Sequence, residues 1–116
     1  MKIKVADLYD LSLGLADLAD KELSIATSLK VHRNQNSVNE ELISSDKIRQ
    51  KIIEEHTVEK LDNGTVKLDE KGIKKINELM SQEIEIDLQT LTIEELEDIK
   101  VKPKTLNMLK TILNAE

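Results

Sequence analysis

A long stretch without glycine or proline constrains the fold of this chain most. It runs from Ser24 to about His56, and the Ser24 side chain can cap its first turn. The absence of helix breakers predicts one continuous helix. Such a helix exceeds the usual length in a globular domain, which favours a hairpin, bundle or coiled-coil arrangement.

Steps of three and four residues along this helix select a seam that is partly polar. Its positions are Val31, Gln35, Val38, Leu42, Ser45, Arg49 and Ile52. A seam that packs against another helix is normally apolar. Asn34 falls in the same stripe, which is about 100° wide, and the arginines of the chain, Arg33 and Arg49, both lie on this helix. The candidate ligand- or partner-binding residues are therefore Asn34, Gln35, Ser45, Arg49 and Arg33.

Three interpretations of the polar seam are open. In the first, the helix is covered only at its ends and its middle faces water. In the second, the helix associates with a copy of itself, and the polar positions fix register and copy number. In the third, the seam lines a pocket or partner surface in an oligomer. There the Asn and Gln amides would offer donors and acceptors, and Arg49 a bidentate fork for a phosphate or carboxylate.

The segments that flank the long helix have clear local signals. KIKV alternates lysine and aliphatic residues, as a short strand does, and four leucines at helical spacing predict a helix over residues 6 to 20. Asn63-Gly64, between aliphatic residues, predicts a β-hairpin with a type I′ turn. Asp69 can cap a third helix that carries Ile73, Ile76 and Met80.

The acidic segment EIEIDLQTL alternates in the same way as the N-terminal strand. We expect residues 83 to 89 to pair with that strand, with Ile3 and Val5 opposite Ile84 and Ile86. Lys2 and Lys4 would then lie beside the acidic row, and opposite charges across strands contribute about 0.2–1 kcal/mol per pair. This pairing would close the domain end to end.

The C-terminal part predicts two short helices. Thr92 and Glu95 form a capping-box pattern for a helix over TIEELED. Pro103 breaks the chain, and TLNMLKTIL predicts a last helix with Leu106, Leu109 and Leu113 facing inward. The expected fold is mainly α (α+β). It is a single domain of residues 1–116 with a long central helix, flanking shorter helices, a β-hairpin and a small antiparallel sheet that includes the N-terminal strand.

The composition indicates a lean aliphatic core. Hydrophobic residues make up 39% of the chain, yet Tyr9 is its one aromatic residue. Each buried aromatic side chain removes about 150–250 Å² from water, so this core lacks the largest building blocks. We therefore expect further burial against another copy, most simply in a homodimer through the long helix.

Charge and motif content narrow the function classes. A net charge of −6 argues against nucleic-acid binding, and no apolar run approaches a membrane span. The absence of cysteine is typical of a cytosolic protein. Neither a serine-centred elbow nor a glycine-rich phosphate loop is present, and His32 and His56 lie too far apart on one helix to share a metal. We expect no enzyme activity, cofactor, metal, nucleic acid or membrane.

Four segments carry a resemblance to a known family. KIKVADL, RQKIIEEH, EIEIDLQTLTIEELEDIKVKP and the leucine-rich end resemble short uncharacterised proteins encoded by phages and prophages of Gram-positive bacteria. The resemblance covers most of the chain in order and length. It implies a viral origin, a role in infection and action in the host cytoplasm, and it assigns no site residues. Where that family is expected to place bulky apolar residues on the long helix, this chain has Asn34, Gln35 and Ser45.

Three functional hypotheses follow. The first is a non-enzymatic phage accessory protein that counters host defence by binding a defence protein. The second is a sponge that sequesters a small (cyclic) nucleotide immune signal, with Arg49 as its phosphate contact. The third is a protein that assists virion (tail) assembly, as a component or a chaperone.

Overall fold

One long helix spans the molecule. The computed structural model describes residues 1–114. The helices are α1 (Val5–Ala19), α2 (Ile25–His56), α3 (Glu70–Ser81) and α4 (Pro103–Met108), with a 3₁₀ turn at Glu94–Leu96. The strands are β1 (Lys2–Lys4), β2 (Thr57–Lys60), β3 (Val66–Leu68), β4 (Glu83–Glu85), β5 (Leu91–Thr92) and β6 (Leu113–Asn114). The 32 residues of α2 give a length of about 48 Å, close to the longest extent of the molecule, 49 Å. The predicted fold class is confirmed.

Side-chain caps define the starts of two helices as predicted. Ser24 Oγ accepts a hydrogen bond of 3.2 Å from the Thr27 N–H at the start of α2. Asp69 Oδ1 accepts one of 2.7 Å from the Gly72 N–H at the start of α3. Each cap satisfies a backbone donor that the helix itself leaves unpaired.

The N-terminal strand β1 forms an antiparallel pair with β4, whereas β6 pairs with β5. Ile3 lies opposite Ile84, and Lys2 and Lys4 lie opposite Glu85 and Glu83, so the predicted charge alignment is confirmed. The predicted pairing of Val5 with Ile86 is wrong. Val5 already begins α1, where its N–H donates to Gln82 O over 2.9 Å, and the Ile86 N–H donates to Met1 O over 3.0 Å. An antiparallel register that sets residue 3 opposite 84 requires this shift.

The hairpin of β2 and β3 forms at the predicted place with a different turn. A type I′ turn needs positive φ at two residues, whereas within residues 1–114 only Gly64 has one, at 85°. The Leu61 N–H donates to Thr65 O over 2.8 Å, which closes a three-residue loop. Asn63 Oδ1 accepts from the Thr65 N–H over 3.1 Å. A three-residue loop with glycine in the left-handed region is the alternative hairpin that Asn-Gly supports.

The C-terminal segment departs most from prediction. The Thr92–Glu95 capping box is confirmed by reciprocal bonds of 3.0 and 3.2 Å, but the helix after it is a single 3₁₀ turn. The last helix ends at Met108 rather than at Leu113. Leu113 instead lies in a strand that pairs in parallel with Leu91, where the Leu91 N–H donates to Ile112 O over 2.8 Å.

The core lies between α1, the first two thirds of α2 and the C-terminal segment. Its buried residues are Ile3, Leu8, Leu11, Leu15, Leu18, Val31, Val38, Ile86, Leu91, Leu96, Leu109 and Ile112. Gly14 lets α4 approach α1 closely, since a Cβ at that position would lie 2.9 Å from the Leu109 side chain. We call this part of the molecule the body. Within residues 1–114, no helix combines the length and apolarity needed to cross a membrane.

Candidate functional site

Asn34, the most buried of the candidate residues, is used by the fold. Its side chain is 1% exposed. Its Nδ2 donates to Gln89 O and its Oδ1 accepts from the Gln89 N–H, both over 2.8 Å. The side-chain amide thus pairs with a backbone amide as a neighbouring strand would. It fixes the connection between β4 and β5 against α2.

A second polar cluster, one turn earlier on α2, holds the 3₁₀ turn Glu94–Leu96 that follows β5. Lys30 Nζ lies 2.9 Å from Glu95 Oε1, and Thr27 Oγ1 donates to Glu95 Oε2 over 3.3 Å. Partial burial raises the pKa of the Glu95 carboxyl, but hydrogen bonds from Lys30 and from the Thr92 backbone outweigh it and lower that pKa overall. Thr27, Lys30 and Asn34 therefore tie α2 to the rest of the body.

Gln35 and Arg33 lie beside this cluster without joining it. Gln35 is half-buried and lines a cavity of about 200 Å³ together with Leu23 and His32. Arg33 is exposed. Neither residue reaches the polar contacts that Asn34 makes.

Ser45 and Arg49 lie in a separate region, where α1 contacts α2. Ser45 is buried. The Tyr9 hydroxyl of α1 donates to Asp46 Oδ1 over 2.6 Å. The pKa of Tyr9 is raised, first by partial burial and then by Asp46, while the nearby Arg49 guanidinium partly offsets both. Arg49 itself is exposed.

The candidate residues do not converge on one site. Fifteen helical steps separate Asn34 from Arg49, which corresponds to about 22 Å along the axis of α2. The interpretation in which only the ends of α2 are covered is wrong, because the buried residues are Thr27, Val31, Asn34, Val38 and Ser45. The uncovered part is the last third of the helix. The prediction of the binding residues themselves is not decided by this geometry.

That last third belongs to a substructure without an enclosed core. We call residues 46–81 the arm; it comprises the end of α2, the β2–β3 hairpin and α3. None of the buried hydrophobic residues of the molecule lies in the arm, and Gly72 is the one buried residue of α3. Ile48, Val58, Leu61 and Ile73 each expose between 43% and 62% of their surface.

The joint between the two arm helices is well defined. His56 Nδ1, at the end of α2, lies 3.0 Å from Asp69 Oδ1, and the Asp69 N–H donates to His56 O over 3.0 Å. The hydrogen bond from the Gly72 N–H, together with His56, lowers the pKa of Asp69. The arm therefore consists of two helices joined at a defined corner, and none of the hydrophobic residues between them is fully buried.

Two concave surfaces on the arm lie between its elements. A groove of about 530 Å³ between α2 and α3 has an aliphatic floor of Ile48, Ile52 and Leu79. Its charged border consists of Lys51, Glu55, Lys75 and Glu78. A concavity of about 350 Å³ faces the hairpin, and there Arg49 borders Ile53, Ile76, Val66, Leu68, Gly64 and Thr65.

The sequence prediction missed the arm as a surface. The sequence pattern places Ile52 in the seam of the long helix and Ile76 on the third helix, and both are half-buried in the structure. Within residues 1–114, no group of three or more metal-ligating side chains converges. Comparisons with protein-family models, with curated proteins and with solved structures find no match to this chain.

Proposed function

We propose that this chain is a non-enzymatic phage accessory protein that binds a host defence protein through its arm, in the host cytoplasm. The observation that carries the binding role is the arm itself. It is a third of the molecule with no buried hydrophobic residue, and its aliphatic residues Ile48, Val58, Leu61 and Ile73 are exposed. Apolar surface that no core covers can serve as an interaction surface. The phage origin and the counter-defence role come from the sequence resemblance.

The polar contacts of the body support binding over chemistry on α2. The Asn34 amide donates to and accepts from the Gln89 backbone, and Lys30 and Glu95 form an ion pair. These groups stabilise the body. The exposed aliphatic residues of the arm remain available to another molecule, and such side chains suit a protein partner better than a reacting substrate.

An infection assay tests this proposal. The chain is expressed in isogenic hosts that each carry one defence system, and phage plating is measured. We expect plating to recover in one host, and one defence protein to co-purify with the chain. The double variant Val58→Glu/Ile73→Glu should lose both effects, because it places charge on side chains that are 62% and 52% exposed.

The matched control is Leu13→Glu/Leu29→Glu, which also adds two charges, at helical positions of the body that are 60% and 48% exposed. It should keep both effects. Full activity of the arm variant would contradict the proposal. So would a requirement for the chain in hosts without defences together with co-purification of virion proteins, which would indicate the assembly role instead.

The concavity at Arg49 favours one second candidate, a sponge for a small phosphorylated signal. Its volume of about 350 Å³ falls within the usual range of ligand sites, about 300–1,000 Å³. A guanidinium at its border could pair with a phosphate. A cyclic nucleotide should then raise the melting temperature of the chain and of Arg33→Ala, but not of Arg49→Ala. No rise with any of a panel of cyclic nucleotides would exclude the sponge.

A further inference from the structure

We infer that the groove between α2 and α3 binds a second copy of this chain, so that two arms pair face to face around a two-fold axis. This inference rests on the proposed role of the arm as a binding surface and names the occupant of one of its faces. The hairpin side, with Val58 and the Arg49 concavity, would remain open to another partner.

The floor of the groove provides the apolar part of the contact. Ile48 is 52% exposed, and Ile52 and Leu79 are half-buried. These side chains come from two adjacent helices and form one aliphatic strip. The same strip on a second copy would cover it, as in an isologous interface where one patch contacts itself.

The border of the groove has the charge pattern that self-pairing requires. Two lysines and two glutamates surround the floor, so the border is neutral overall. Within residues 1–114, none of these four side chains forms an ion pair or hydrogen bond; the ion pairs there involve other residues. A strongly acidic or basic partner would gain nothing from a neutral border, whereas a copy related by a two-fold axis can place its lysines against these glutamates.

The size of the face predicts a reversible contact. The arm segments of α2 and α3 are each about 16–18 Å long and about 8–10 Å apart. The resulting face is smaller than the roughly 800 Å² per partner that stable interfaces bury. We therefore expect a dimer that dissociates on dilution.

Light scattering over a concentration series, from about 1 to 500 µM, tests the inference. The wild-type mass should rise from 13.2 kDa towards twice that value. An acidic-groove variant (Lys51→Glu/Lys75→Glu) and a basic-groove variant (Glu55→Lys/Glu78→Lys) should each dimerise at least tenfold more weakly. Mixed in equal amounts, the two variants should dimerise again, whichever lysine faces which glutamate.

The control Lys100→Glu/Lys110→Glu makes the same charge change on exposed residues of the body and should leave the wild-type curve unchanged. Circular dichroism confirms that each variant is folded, and Ile48→Glu gives an independent readout at an exposed floor position. A wild-type mass that stays at 13.2 kDa up to 500 µM would overturn the inference. So would groove variants that dimerise like the wild type, or a mixture that stays monomeric.

The two proposals fail separately. A monomeric chain whose Val58→Glu/Ile73→Glu variant still loses protection against host defence would overturn the dimer and support the proposed function. A dimer that protects phage in no defended host would support the dimer and contradict the proposed function.

Discussion

Replacement of Asn34 by alanine should be among the most destabilising single changes in this chain. The side chain is 1% exposed and makes two hydrogen bonds of 2.8 Å to the backbone of Gln89. Each bond contributes about 0.5–1.5 kcal/mol, and a buried group left unpaired costs about 1–3 kcal/mol. Gln89 is half-buried, so water can replace part of what is lost.

These terms give a loss of about 2–4 kcal/mol in the free energy of unfolding. Domains of this size have total stabilities of about 5–15 kcal/mol, so the variant should fold with a melting temperature about 8–16 °C lower. Urea unfolding followed by far-UV circular dichroism measures the free energy, and a thermal scan measures the melting temperature.

Asn36→Ala is the matched control. Asn36 lies two residues further along the same helix, is exposed, and has one weak contact of 3.5 Å to His32. It should change the free energy of unfolding by less than about 0.5 kcal/mol. Asn34→Leu provides a second check, because it supplies the apolar residue of an ordinary seam and should still destabilise. Equal effects of Asn34→Ala and Asn36→Ala, or a stabilising Asn34→Leu, would refute the reasoning.

Three further predictions concern the arm corner and the α1–α4 contact. The Gly72 N–H and His56 lower the pKa of Asp69 in the folded state from its ordinary value of 3.8. The stabilisation that the Asp69 carboxylate provides is complete above pH 3.8 and is lost as the pH falls through the folded pKa. Urea midpoints measured between about pH 5 and 2.5 should therefore fall more for the wild type than for Asp69→Asn. Gly72→Ala places a Cβ 2.5 Å from that of His56 and should cost about 1–3 kcal/mol by urea unfolding, and an unchanged midpoint would contradict that contact. Thr105→Val removes the 2.8 Å hydrogen bond from the buried Thr105 hydroxyl to Asp17 Oδ2 and should lower the free energy of unfolding by about 1 kcal/mol. Thr105→Ser keeps the hydroxyl and should retain most of that stability.

Local chemistry explains which parts of the fold could be predicted. The caps at Ser24 and Asp69 and the Thr92–Glu95 box each depend on residues within three positions of one another. The β1–β4 alignment spans the chain, yet alternating lysines and glutamates specify it from both sides. Such features can be predicted because both interacting segments have a short, recognisable sequence pattern.

The errors have physical reasons of a different kind. Asn-Gly supports both a type I′ turn and a three-residue loop with glycine in the left-handed region, so the dipeptide predicts the hairpin without its turn. The leucine spacing that continues α4 to Leu113 also suits a turn followed by a short strand. The strand forms because the Leu91 N–H donates a hydrogen bond to Ile112 O. No local pattern in the C-terminal segment indicates this partner.

The candidate site was less predictable than the fold. Asn34 is a candidate because it is a polar residue in an apolar stripe. In the structure its partner is the backbone of Gln89, 55 residues away. A backbone partner has no side-chain signature in a sequence. The arm was not predicted because Ile73, Ile76 and Met80 follow the spacing of a buried helix face. Spacing cannot show that Ile73 is exposed and that Ile76 and Met80 are only half-buried.

Hydrogen exchange of the isolated chain tests the central claim most directly. If the arm lacks its own core, amides of its helices should open locally and exchange about a hundredfold faster than those of α1 in dilute solution, because regions with few buried apolar contacts open most easily. A partner or a second copy on the arm should slow that exchange selectively. Equal protection of residues 46–81 and of α1 in the dilute chain would contradict the account.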